Sequence, residues 1–296
     1  MRARHASSSE GAGVALTPVH AHTFRACQDN QKETTMAYEY SDTEWKIRCE
    51  LAALYRVIAY HRMTDHIYTH ISARVPGTDA HHFLINPYGQ MFHEITASSL
   101  VKIDMDGNIV DARSDRRQRV NKAGFMIHSA VHMARHDVAC VIHTHTAAGI
   151  AVSAQEEGLL PISQHALKFY GRLSYHNYEG IASDADERAR LVSDLGDNKA
   201  MILRNHGLLA AGNTVADAWT VIYYLERACQ AQIAALAGGS KLIYPPEVVR
   251  KHTSDQFAKL DIADDAIDTG GVQSYQQVGF DAAVRLVERE LPRYDS

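Results

Sequence analysis

Val141-Ile142-His143-Thr144-His145 places two imidazoles two residues apart at the end of an apolar, β-branched run. On a strand, residues two apart share a face, so both rings can reach one ion held at a buried strand end. The alternative is two polar residues bonded to the backbone. The spacing is not diagnostic by itself, because His20-Ala21-His22 repeats it in a stretch with no sustained period. A third imidazole follows another apolar run, Met201-Ile202-Leu203-Arg204-Asn205-His206-Gly207, where the glycine permits a tight turn that sets His206 at a sheet edge. A turn histidine satisfied locally is the alternative there. Together His143, His145 and His206 make a three-nitrogen set suited to a divalent metal ion, zinc foremost, with Mn, Fe or Co as other occupants.

A rival set, His128, His132 and His136, has i, i+4, i+8 spacing. No Glu follows His128 and no HExxH occurs, so these read as a partly solvated helix stripe. His128 would lie nearest the site, as a group supporting a ligand from behind. GxGxxG, the P-loop and the GxSxG elbow are all absent. Arg113, Arg116, Arg117 and Arg119 form a basic cluster, read as a solvated face from which one guanidinium can clamp an acidic substrate. Tyr223, Tyr224 and Glu226 read as core and interface groups.

Composition narrows the class. Apolar residues are 46% and charged residues 22% of 296, the balance of a globular chain. Thirty basic against 35 acidic residues, net −5, argue against a nucleic-acid binder. No apolar run approaches a membrane span. The four cysteines show no paired close spacing, so neither a disulfide framework nor a CxxC knuckle is expected, and a cytoplasmic setting is. Histidine is the unusual count, at 18.

The elements that position these groups follow from periodicity. Ser41-Asp42-Thr43-Glu44 has the form of a capping box, and Ile47, Leu51, Leu54 and Ile58 recur at helical spacing, predicting a helix that ends near Arg62. Strand-like runs follow at 68–74, 82–86 and 100–104, with Asp106-Gly107 as a hairpin turn. Residues 122–135 predict a second helix, 138–145 a strand and 172–176 another. A helix capped by Ser183-Asp184-Ala185-Asp186 runs to about 195. Strands at 200–204 and 208–211 precede a long helix, 215–236, stopped by Gly238-Gly239. Strands and helices intermix without strict alternation, which predicts a layered α/β domain with a mixed sheet. Residues 1–37 lack apolar periodicity and read as a dispensable, disordered arm, with Met36 as an alternative start. The domain then spans 38–240, and 241–296 is a C-terminal extension with one helix around 281–290.

The order of these motifs resembles the class II aldolase/adducin superfamily: THIS at 69–72, NPYG at 86–89, IHSAVHMAR at 127–135, VIHTHT at 141–146 and LRNHGLLAAG at 203–212. The resemblance covers roughly 43–240. It implies a three-layer α/β/α sandwich with a mixed, largely antiparallel sheet, commonly a homotetramer, with the metal near a subunit interface. It also implies that His143, His145 and His206 bind the ion. The departures matter as much. The acidic residue that serves sugar-phosphate aldolases as base falls on Gly124, and their phosphate serines fall on Asn121-Lys122-Ala123. The GNxS loop of the same phosphate pocket appears as Thr69-His70-Ile71-Ser72. Glycine cannot move a proton. The chain therefore resembles the NxAGF, adducin-like branch.

The expected function is a metal-dependent carbon–carbon lyase acting on a small oxo-, hydroxy- or aromatic carboxylic acid. One alternative is oxidative decarboxylation by non-haem iron in the same fold, and another is a non-catalytic adducin-like module. The resemblance places a proton-donating tyrosine of the neighbouring subunit near His165, with Tyr170 five residues on, and His128 is a candidate substitute base. Ser72, Arg119, Asn121 and Lys122 are the residues expected to line the substrate, with Lys122 or Arg119 holding a second carboxylate. No nucleic-acid or membrane partner is expected.

Overall fold

The computed structural model describes residues 40–77, 81–111, 119–180, 185–262 and 273–296. The 1–37 arm, Arg113, Arg116, Arg117, the Ser183-Asp184 cap and the side chain of Lys122 lie outside the described residues.

Among the described residues seven strands form one sheet: β1 (His70–Arg74), β2 (Phe83–Ile85), β3 (Val101–Ile103), β4 (Cys140–Thr144), β5 (Leu173–His176), β6 (Ala200–Leu203) and β7 (Gly207–Gly212). Their order is β3-β2-β1-β4-β7-β6-β5, and only the β5–β6 pair is parallel. The helices are α1 (Asp42–Tyr60), α2 (Lys122–Ala134), α3 (Ala147–Ser153), α4 (Gln164–Leu167), α5 (Ala185–Leu195), α6 (Val215–Ala237), α7 (Glu247–Ile262) and α8 (Tyr275–Glu290).

Strand alternation makes two apolar faces. Ile71, Ala73, Cys140, Ile142, Ile202 and Leu208 point into a cluster shared with Leu51, Leu54 and Ile58 of α1 and with Val221, Ile222 and Leu225 of α6. Val141, Met201, Leu203 and Leu209 point the other way, against α2 (Ile127, Val131) and α5 (Leu191, Leu195). The result is the expected α/β/α sandwich with a largely antiparallel sheet. Because His143 follows Val141 by two residues, and Ser72 follows His70 by two, all three polar side chains face the α2 layer.

The start of α1 departs from a full capping box. Ser41 Oγ accepts the Glu44 N–H at 3.2 Å. The Glu44 carboxylate does not return to the cap but accepts from Arg48 Nε at 3.0 Å and Lys102 Nζ at 2.8 Å. The Arg48 side chain is fully buried, and it also donates to Asp111 at 2.8 Å and to the Leu100 carbonyl at 2.8 Å. Removing one partner of such a network strands the others. Arg48→Ala should cost about 3–5 kcal/mol in urea unfolding, and a cost below about 1 kcal/mol would show that the network is replaceable.

The C-terminal extension holds two helices where one was expected. α8 adds Phe280, Val284 and Val287 to the main cluster. α7 escaped the periodicity because its apolar side chains do not track burial: Val248 is 75% exposed, whereas Phe257 is buried. Polar ties hold it instead. Ser254 Oγ donates to the Tyr170 carbonyl at 2.8 Å, and Asp261 takes both its 2.7 Å bonds from buried Lys168. Asp106-Gly107 does turn the chain, with Gly107 at φ 83°, but the return arm pairs only as a single bridge, Ile103 to Ile109. Cys49 is disulfide-bonded, contrary to the expectation from cysteine spacing, while Cys140 and Cys229 are free and buried. No described helix is long and apolar enough to cross a membrane.

Candidate metal centre

His143 is the penultimate residue of β4, and His145 lies one residue past its end. His206 occupies the turn between β6 and β7. The strain of that turn falls on Asn205, at φ 55°, rather than on Gly207. Gly207 serves a different need, since a Cβ there would stand 2.3 Å from the Thr144 carbonyl oxygen. Its missing side chain lets β7 close on the end of β4 and brings His206 to the HxH pair.

The three Nε2 atoms converge. His143 and His145 are 2.8 Å apart, His145 and His206 2.9 Å, and His143 and His206 3.2 Å. Among the described residues they form the only group of three or more His, Cys, Asp or Glu side chains arranged to hold an ion. Nitrogens on a tetrahedral zinc at about 2.0–2.1 Å stand about 3.3 Å apart, so the triangle admits an ion with small outward shifts. Two rings are fixed from behind. The Leu208 carbonyl accepts from His143 Nδ1 at 2.9 Å, and an Asp65 carboxylate oxygen lies 3.0 Å from His145 Nδ1. Those contacts leave each Nε2 with its lone pair aimed at the centre. Burial, then repulsion from His206, His145 and His70, holds His143 well below the ordinary histidine range. Burial, then His145 and His176, brings His206 down to about 4. Neutral imidazoles near pH 7 are the form a cation needs.

Behind the triad lies a second group of imidazoles. His70 pairs with His143 across β1 and β4, with ring centroids 5.6 Å apart, and its other face meets His128 at 4.7 Å. Ser72 Oγ sits 2.7 Å from His128 Nδ1 and 2.8 Å from His132 Nε2. One hydroxyl can donate to one neutral ring and accept from the other, which fits this pair. His128 and His132 are thus buried, not a partly solvated stripe; only His136 of that set is exposed. The helix has the expected period, but Ser72 and Phe83 offer partners to its polar face: the Phe83 ring stacks on His132 at 4.4 Å.

The other expected site residues are dispersed. Ser72 is engaged by the two imidazoles. Asn121 Oδ1 faces the Gly124 N–H at 3.5 Å, at the start of α2. Arg119 is exposed, and its carbonyl accepts from the Tyr88 N–H at 2.7 Å. His165, on α4, packs its ring 5.2 Å from Tyr224, and the Tyr170 ring lies under Arg250 at 5.7 Å. Within the chain both side with α6 and α7 rather than with the triad. Glu226 is buried and accepts from Thr146 Oγ1 at 2.5 Å, which ties α6 to the residue after His145. Sequence reasoning missed Asp65 and the proximity of His70, for which motif spacing carried no signal. Tyr178, 54% exposed, has its ring edge-on to that of His206, with centroids 6.3 Å apart.

The family profile described as "Class II Aldolase and Adducin N-terminal domain" matches residues 49–233. A Caulobacter vibrioides protein that carries an aldolase class 2 name is 46% identical over 86% of this chain and 93% of its own. Alpha-adducin of Rattus norvegicus is 46% identical over 67% of this chain, which spans 27% of the adducin. A crystal structure of an aldolase II superfamily protein from Pseudomonas syringae superposes with a TM-score of 0.77 at 50% identity, covering 87% of this chain and 98% of that one.

Proposed function

The chain belongs to the class II aldolase and adducin family, and from that premise we propose that it is a divalent-metal-dependent lyase for a small oxo-, hydroxy- or aromatic carboxylic acid. The observation that carries this reading is the convergence of three Nε2 atoms beside a helix whose position 124 is glycine. A divalent ion bound there, zinc foremost, supplies Lewis acidity that draws off negative charge as a carbon–carbon bond breaks. His143, His145 and His206 hold it, and Asp65 and the Leu208 carbonyl keep two of those rings aimed. No side chain at 124 is available to take a hydroxyl proton, which disfavours retro-aldol cleavage of a sugar phosphate. Loss of carbon dioxide needs no such base, only stabilised charge and a later proton.

Proton delivery falls to His165 or Tyr170 of a neighbouring copy in a homotetramer, because within one chain neither lies beside the triad. His128 serves as a base only from behind the His70 ring. Arg119, exposed and three residues before α2, is the described group to which a second substrate carboxylate falls, with Lys122, the first residue of that helix, as the alternative. Elemental analysis together with carbon dioxide release from 2-oxo acids, before and after chelation, tests the reading: one ion per chain and chelator-sensitive turnover support it. The identity to alpha-adducin favours a second reading, a non-catalytic interaction module. Metal-free protein that co-sediments with actin would reverse the ranking. Oxygen uptake with iron bound would point instead to the oxidative variant.

A further inference from the structure

A cleft of about 390 Å³ opens where the end of α1, residues 91–93 and the end of α8 meet. Phe92 and Leu291 give it an apolar wall, and Arg62, His66, His93 and Glu290 add polar groups. The loop on its α1 side breaks a local rule twice. Helix α1 closes with a Schellman pair of bonds, from the Arg62 N–H to the Ala59 carbonyl at 2.9 Å and from the Met63 N–H to the Ile58 carbonyl at 3.0 Å. Glycine is the usual residue at that left-handed position, yet Arg62 holds it at φ 57°. Four residues on, His66 is left-handed as well, at φ 48°, in a turn closed by the Tyr68 N–H on the Asp65 carbonyl at 2.9 Å. Strain of this kind persists where the side chain is kept for what it meets. Inside the chain it meets no partner: the side chains of Arg62, His93 and Glu290 have neither a hydrogen bond nor an ion pair.

The charges narrow the occupant. A bare anion would meet Arg62 but also Glu290 and the negative ends of two helices, α1 and α8. A bare cation would leave Arg62 unmatched. We propose that the cleft binds a zwitterion, an α-amino acid with an apolar side chain. Arg62 takes the carboxylate as a forked pair, with an imidazole N–H of His66 or His93 on a remaining lone pair. Glu290 takes the ammonium, and Phe92 and Leu291 receive the side chain. The site needs no metal and does not depend on the lyase reading. It lies one residue from Asp65, whose carboxylate meets His145 at 3.0 Å.

Calorimetry on the full-length protein tests the proposal, with L-leucine as the probe. Two analogues each remove one charge: isocaproate lacks the ammonium and isoamylamine lacks the carboxylate. Leucine should bind once per chain and each analogue at least about tenfold more weakly, the factor carried by one hydrogen bond to a charged group. Arg62→Gly should weaken leucine by about tenfold or more. It should leave the melting temperature unchanged or higher, because glycine relieves the left-handed strain. Glu290→Gln should weaken leucine and not isocaproate. No saturable leucine binding at millimolar concentration overturns the site. Equal affinity for leucine and isocaproate overturns its zwitterion chemistry, and unchanged leucine affinity in Arg62→Gly overturns its placement in this cleft.

Discussion

His143→Ala protein is expected to carry no stoichiometric metal. His143 is one of three nitrogens that meet within 3.2 Å, and it is the most deeply buried of them. Without it two imidazoles remain, and water must complete the coordination. Groups behind a ligand typically carry 10–100-fold in metal affinity, about 1.4–2.7 kcal/mol. A ligand itself should carry more. The expected order is therefore graded: Asp65→Asn weakens zinc by about 10–100-fold, and His143→Ala weakens it beyond detection by elemental analysis after dialysis. His145→Ala, at a less buried position past the strand end, gives the same result if His143→Ala compromises folding. Circular dichroism separates lost ligation from lost structure. Full metal content in both alanine variants would remove the triad from the account.

Acid should destabilise the protein steeply below about pH 6.5, the unperturbed histidine value. Burial, then the Arg74 guanidinium, brings His132 down to about 3, and burial, then His70 and His132, holds His128 well below its ordinary range. For a group whose folded pKa is depressed, stability is complete above the unfolded pKa. It is lost as pH falls from there toward the folded value, because only the unfolded chain takes up the proton. Between pH 7 and 5 each such histidine forfeits about 2 kcal/mol, so the pair forfeits about 4 kcal/mol. The hydrogen bonding agrees in sign, since Ser72 Oγ can serve two neutral rings but not two protonated ones. Urea unfolding in metal-free buffer at pH 7, 6 and 5 measures it. His132→Leu should reduce the loss between pH 7 and 5 by about 2 kcal/mol, whatever its basal stability. A curve level from pH 7 to 5 would show that these imidazoles are solvated after all.

The sheet was legible because its strands alternate: Ile142 and Ile202 against Val141 and Met201 assign faces before any contact is known. That His143 and His145 share a face was legible for the same reason, whereas the addition of His206 to them came from the resemblance in motif order. What escaped notice was tertiary. Asp65 reaches His145 across 80 residues of sequence, and no local period marks it. His128 and His132 looked half-solvated because helical spacing says which residues share a face, not what that face meets. Gly124 was read as a missing base. The structure adds that the glycine is also a space, and that His70 fills it. α7 was invisible because Lys168 and Ser254 anchor it in place of an apolar stripe.

The most direct test of the lyase assignment sets one zinc-loaded sample against two substrate panels, small 2-oxo and 2-hydroxy acids and ketose 1-phosphates such as fuculose and ribulose phosphate. Carbon dioxide or carbonyl product is read for the first panel and dihydroxyacetone phosphate for the second. Turnover of an acid that chelation abolishes, with no cleavage of the phosphates, is the predicted result. Efficient cleavage of a ketose phosphate would contradict it and would mean that a group other than a residue-124 side chain takes the hydroxyl proton.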